Sequence, residues 1–105
     1  MANVVKTLRL GMNRGNPRLW LEGATLSNAG FVRGARYDCT IGANGITFEL
    51  NAEGKRRVSG KAKANGEQWP IIDMNGANLG HLAGADLTLT ANVPAGRITI
   101  VKVEA

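Results

Sequence analysis

Pro17-Arg18-Leu19-Trp20-Leu21-Glu22-Gly23 returns 53 positions later as Pro70-Ile71-Ile72-Asp73-Met74-Asn75-Gly76, and this repetition decides the fold. Each stretch opens on proline, closes on glycine and places apolar residues at alternate positions (Leu19 and Leu21, then Ile72 and Met74), as a strand with one buried face does. Working outward, Gly34-Ala35-Arg36-Tyr37-Asp38-Cys39-Thr40 is answered by Gly84-Ala85-Asp86-Leu87-Thr88-Leu89-Thr90 at an offset of 50. Gly45-Ile46-Thr47-Phe48 is echoed by Arg97-Ile98-Thr99-Ile100 at an offset of 52. Two similar half-chains of about fifty residues imply two copies of one supersecondary unit around a shared core.

At 105 residues the chain is expected to be one domain, 1–105, because each half alone lies near the lower limit for independent folding. The first repeat runs from about 4 to 50, a joint from about 51 to 57, and the second repeat from about 58 to 103. Val5 to Leu10 and Arg18 to Glu22 read as strands. Ala24 to Phe31 allows a short helix ended by a left-handed Gly30. Arg36 to Ile41 alternates with Tyr37, Cys39 and Ile41 on one face, and the turn Gly42-Ala43-Asn44-Gly45 leads into a return strand carrying Ile46, Phe48 and Leu50. In the second copy Ala77 to Leu82 has room for one turn or a 3₁₀ segment. Leu87, Leu89 and Ala91 then face inward, the turn Asn92-Val93-Pro94-Ala95-Gly96 follows, and the last strand, apolar on both faces, is expected to be central or covered. Between Asn51 and Gln68 a ragged strand is expected, since Val58 aligns with Val5 at the 53-residue offset.

The net charge of +5 is unevenly spread. Residues 1–63 hold eleven Lys or Arg against four acids, and residues 64–105 hold two against four, so the halves carry +7 and −2. A basic half beside an acidic one suggests a surface directed at a polyanion. No apolar run is long enough to span a membrane, and Met1 to Lys6 lacks a signal-peptide pattern, so a cytoplasmic protein is expected. Cys39, the single cysteine, fits a reducing compartment and reads as a small buried hydrophobe, with Leu89 in its place in the other copy.

Pro17-x-Leu19-x-Leu21-x-Gly23-x-x-Leu26-x-x-Ala29-Gly30-Phe31-x-x-Gly34, followed by Asn44-Gly45-Ile46-Thr47, resembles the SymE-type toxin module of the AbrB/MazE superfamily. The strand Lys6-Thr7-Leu8-Arg9-Leu10, with Arg14 before the proline, is similar to that module's first strand, and the likeness covers roughly residues 4 to 50. Thr25 departs from it, standing where the family usually has tryptophan. The second copy keeps Pro70, Gly76, Leu79, Gly84 and Ala85 but lacks the Ala-Gly-Phe triplet. The resemblance implies an all-β fold with one or two short helices, a swapped-hairpin AbrB-like β-barrel that two chains normally build together. A tandem copy would form it as a single-chain pseudo-dimer. The resemblance also implies DNA binding by a regulator or toxin–antitoxin-related factor, with Lys6, Arg9, Arg14 and Arg18 in the region that approaches DNA.

One copy serves as a control for the other. Arg14 corresponds to Glu67, Arg18 to Ile71, Arg33 to Ala83 and Arg36 to Asp86, so these arginines are not demanded by the shared fold. Arginine's planar fork suits phosphate oxygens. Lys55, Arg56, Arg57, Lys61 and Lys63 in and after the joint add phosphate contacts or serve as a solvated linker. Trp20 and Trp69 are expected in core or rim packing, with base stacking as the alternative.

No Cys/His cluster has metal-ligand spacing, no phosphate loop or nucleophile elbow is present, and His81, the single histidine, reads as a surface or capping residue. No catalytic residue, metal or cofactor is expected. The expected function is nucleic-acid binding, with duplex DNA as partner, by a monomeric pseudo-dimer or a homodimer. The alternatives are a phage- or plasmid-type inhibitor that docks on a host enzyme, and a SymE-like RNA-cleaving toxin relying on Arg36, Tyr37 or His81.

Overall fold

The computed structural model describes residues 4–92 and 96–103. Val93, Pro94 and Ala95 of the expected turn lie outside them. The described residues form β1 (Val4–Leu8), β2 (Gly11–Asn13), β3 (Asn16–Glu22), α1 (Ala24–Ser27), β4 (Arg36–Ile41), β5 (Gly45–Leu50), β6 (Arg56–Arg57), β7 (Ser59–Ala62), β8 (Gln68–Asn75), a 3₁₀ segment (Ala77–Leu82), β9 (Leu87–Asn92) and β10 (Arg97–Lys102). The protein is thus mostly β with two short helical turns.

All strand pairings are antiparallel, in a six-stranded sheet of order β1-β9-β10-β5-β4-β6 and a four-stranded sheet of order β2-β3-β8-β7. Exchanging the first five strands for the last five reverses each order and leaves it unchanged. Both sheets keep free edges, so the closed barrel expected from the sequence does not form. The arm made of β1 and β2 pairs first in one sheet and then in the other, and β6 with β7 does the same. The strand pairing of each arm changes sheet at Arg9–Leu10 and at Val58, where Val58 still donates to Ala35 O and accepts from Gly34 N–H.

The core lies between the sheets. Leu19, Leu21, Ile72 and Met74 enter it from the smaller sheet, and Ile46, Phe48, Leu87, Leu89, Ile98 and Ile100 from the larger. Phe31, Tyr37 and Phe48 pack edge-to-face, with ring centroids 6.0 and 5.7 Å apart. The strand β10 is central, as its sequence predicts, although Val101 on its outer face remains exposed.

The Ala29-Gly30-Phe31 triplet closes α1. Gly30 takes φ 88°, its N–H donates to Ser27 O, and the N–H of Phe31 reaches back to Leu26 O while its ring enters the core. This is a Schellman stop, in which a glycine frees two carbonyls to be capped. After each helical turn a left-handed glycine, Gly34 or Gly84, aims the chain into the next strand.

One alignment is corrected by the ladder. Gly11 stands opposite Arg18 and Ser59 opposite Ile71, so Ser59 takes the place of Gly11 and Val58 that of Leu10, not of Val5. Val58 is accordingly buried and Val5 exposed. The register moves because Asn13 and Asn16 enclose two residues, whereas the equivalent pair Lys61 and Trp69 encloses seven. The tight turn Arg14-Gly15 has φ 52° and 84°, the paired left-handed geometry that suits a two-residue hairpin.

Candidate nucleic-acid interface

Alternation along β3 and β8 sends Arg18, Trp20, Glu22, Ile71 and Asp73 to the outer face of the four-stranded sheet. Arg18 donates through Nε and Nη2 to both oxygens of Asp73, at 2.8 and 2.9 Å, and its guanidinium lies 4.6 Å from the centre of the Trp20 ring. Glu22 accepts the indole N–H of Trp20 and that of Trp69, the latter at 3.0 Å. These hydrogen bonds, Trp20's first, hold the Glu22 carboxyl below its ordinary range, and the bond from Arg18 does the same for Asp73. Trp69 has two close neighbours. Lys63 Nζ sits 3.9 Å from its ring centre, and a Cβ on Gly23 would approach the ring to 2.6 Å.

Neither tryptophan enters the core. Trp69 packs at the rim, and Trp20, 43% exposed, lies outside it, which corrects the expectation of core or rim packing for that residue. The physical reason is register: Leu19 and Leu21 take the inward positions of β3, and aliphatic side chains from both sheets fill the interior.

Beside Trp20 a groove of about 150 Å³ runs between the β1–β2 arm and β3. Leu8, Leu19 and Leu21 border it, the last two buried, with Lys6, Arg9 and Arg18 around it. Lys6 donates to Thr25 Oγ1 at 3.0 Å. Arg9 pairs with Asp86 at 2.6 Å, both side chains well exposed.

A second basic group forms because β6 pairs with β4. That ladder sets Arg57 opposite Arg36 and Arg56 opposite Tyr37, and Lys55 adjoins them in the chain. Arg36 donates to Gly54 O at 3.1 Å, and Arg33 donates to Gln68 Oε1 at 2.7 Å. Arg57 therefore lies beside Arg36, whereas Arg56, opposite the inward-facing Tyr37, takes the other face of the ladder. Burial raises the pKa of the Tyr37 hydroxyl and of the Cys39 thiol against the opposing pull of Arg56. Cys39 is half-buried with Sγ 3.9 Å from Met74 Sδ, and Tyr37 is 4% exposed between two phenylalanines, away from any solvent-borne substrate. His81 Nε2 meets Gly42 O at 2.8 Å and so ties the 3₁₀ segment to the β4–β5 turn.

The eleven cations singled out in the sequence thus divide. Arg9 and Arg18 are tied to carboxylates of the second half, and Lys63 lies 4.0 Å from Glu67. Lys6, Arg14, Arg33, Arg36, Lys55, Arg56, Arg57 and Lys61 make no ion pair among the described residues. Arg14 stands apart at its hairpin tip. The cross-half pairs and the double indole bond to Glu22 escaped the sequence reading, although Trp20 and Glu22, two apart on one strand, share a face by spacing alone.

No group of three or more potential metal ligands occurs among the described residues, and no helix there is long and apolar enough to cross a membrane. No protein-family model, curated protein or solved structure matches the chain.

Proposed function

We propose that the chain is a nucleic-acid-binding protein, with DNA as its target, built as a single-chain pseudo-dimer of two diverged AbrB/SymE-like swapped-hairpin units. The exchange of first strands supports the architecture: β1 of the first half pairs with β9 of the second, and β6 of the second with β4 of the first. The observation that carries the function is the basic group at the β4–β6 ladder. Arg57 stands directly opposite Arg36 there, and neither forms an ion pair among the described residues. Like charges set opposite each other on neighbouring strands oppose folding, and a phosphate backbone relieves that repulsion. The biological setting in this reading is a regulator or a toxin–antitoxin-related factor.

The test is a fluorescence-anisotropy titration with duplex DNA, single-stranded DNA and RNA at two salt concentrations. If six of the eleven cations meet phosphates, the logarithm of affinity for duplex DNA falls against log salt with a slope of about −5. Between 50 and 200 mM salt that is a loss of about 10³-fold. No binding to any of the three at low salt refutes the proposal.

A further inference from the structure

We propose that the groove beside Trp20 takes one unpaired nucleobase, with the adjoining phosphate held by Lys6 and Arg9. This rests on the nucleic-acid reading above and adds which part of the polymer is gripped. A base with its phosphate has apolar π faces, hydrogen-bonding edges and an anionic link, and the groove offers a surface for each.

Its apolar surface comes from the part-buried Leu8 and the exposed Trp20 ring, with Leu19 and Leu21 buried behind them, and the space of about 150 Å³ matches a single heterocyclic ring system rather than a stacked pair. Trp20 supplies an exposed ring. Its orientation is set beforehand by the Arg18 guanidinium over the ring and by the Glu22 carboxylate on its N–H, so little freedom is left to lose on binding. The arm leaves β3 after the Gly11–Arg18 pair, so Leu19 to Glu22 have ladder partners on β8 alone. That open strand edge faces the arm side, where peptide groups can meet the edge of a base. Lys6 and Arg9 lie on the arm side of the same groove. The pair between Arg9 and Asp86 is solvent-exposed at both ends, the kind of weak pair that a phosphate can replace.

The second half again serves as a control. At the equivalent places on β8 stand Ile71 for Arg18 and Asp73 for Trp20, which provide neither the cation nor the ring. Trp69 does not substitute, because Lys63 lies over its ring and Gly23 packs closely against it. Bases inside a duplex are stacked and paired, so the groove selects single strands, gaps or frayed ends.

The experiment uses the Trp69→Phe variant, which leaves Trp20 as the sole tryptophan, and titrates it with oligothymidylate and with a blunt duplex at low salt. Single strand should quench Trp20 emission and duplex should not. In the otherwise natural chain, Trp20→Ala should weaken oligothymidylate binding by about 5- to 150-fold, the range set by loss of one base–aromatic stack. Trp20→Phe should retain most of the single-strand affinity, which excludes misfolding as the cause. Unquenched emission together with unaltered single-strand affinity of Trp20→Ala overturns the groove proposal while leaving the basic-surface reading intact. Failure of both polymers to bind at low salt overturns both.

Discussion

Replacing Arg57 with glutamine should weaken nucleic-acid binding while raising thermal stability, and the opposite signs make the substitution informative. Arg57 faces Arg36 directly across the β4–β6 ladder and forms no ion pair among the described residues. Like charges in that position oppose strand pairing, by an amount that solvent exposure limits to a few tenths of a kcal/mol. For a domain of this size that relief corresponds to a Tm higher by about 1–3 °C. On the binding side, one phosphate contact contributes about 0.9 to the slope of log affinity against log salt, or about an eightfold loss of duplex affinity at 0.1 M salt. Differential scanning calorimetry reads the first effect and anisotropy across a salt series the second. Arg97→Gln is the control, since Arg97 lies in the second half and pairs with Glu49 at 3.3 Å. An unchanged salt slope would remove Arg57 from the interface. A fall in Tm accompanying the loss of affinity would show that the residue supports the fold, and the argument from repulsion would fail.

Two further predictions concern the framework around the site. Gly45→Ala should lower the denaturant midpoint by about 1–3 kcal/mol of stability or more, because a Cβ there would be driven into the Ile100 carbonyl on the adjoining strand; an unaffected midpoint would mean that β5 and β10 do not approach as described. Acidification should release both indoles from Glu22. The folded carboxyl titrates below its ordinary value of 4.5, so its contribution is present above that pH and is lost as the pH falls through the lower folded value. Tryptophan emission should therefore change in a step below pH 4.5, and Glu22→Gln should abolish the step.

The parts of the fold governed by neighbours in sequence were legible. Alternation fixed the inward faces of β3, β8, β9 and β10, and Gly30 marked the end of α1 through its left-handed φ. What depended on loop length was not. Two similar half-chains suggested one offset throughout, yet the longer hairpin between Lys61 and Trp69 moved the preceding arm by five positions, and Val58 took the place of Leu10. The passage of each arm from one sheet to the other has no signature in a pattern of period two. At the site, the cations were identifiable one by one. Their partners were not, because Arg18 meets Asp73 and Arg9 meets Asp86 across 55 and 77 residues of chain. Trp20 was misjudged because the demand for large core residues outweighed its place on the outward side of β3.

The ladder between β3 and β8 sets Trp20 opposite Asp73, two residues that occupy the same place in the two halves. In a symmetric pair of identical chains, whatever stands at such a crossing must face its own twin, aromatic to aromatic or acid to acid. A covalent tandem is released from that self-complementarity. Here the central crossing joins a ring to a carboxylate, and Arg18 alongside is complementary to both. The outer face of the sheet consequently has two unlike ends where a true dimer would have two equal ones. A surface with unlike ends can distinguish the two directions of a polymer laid across it, a vectorial property that twofold symmetry forbids.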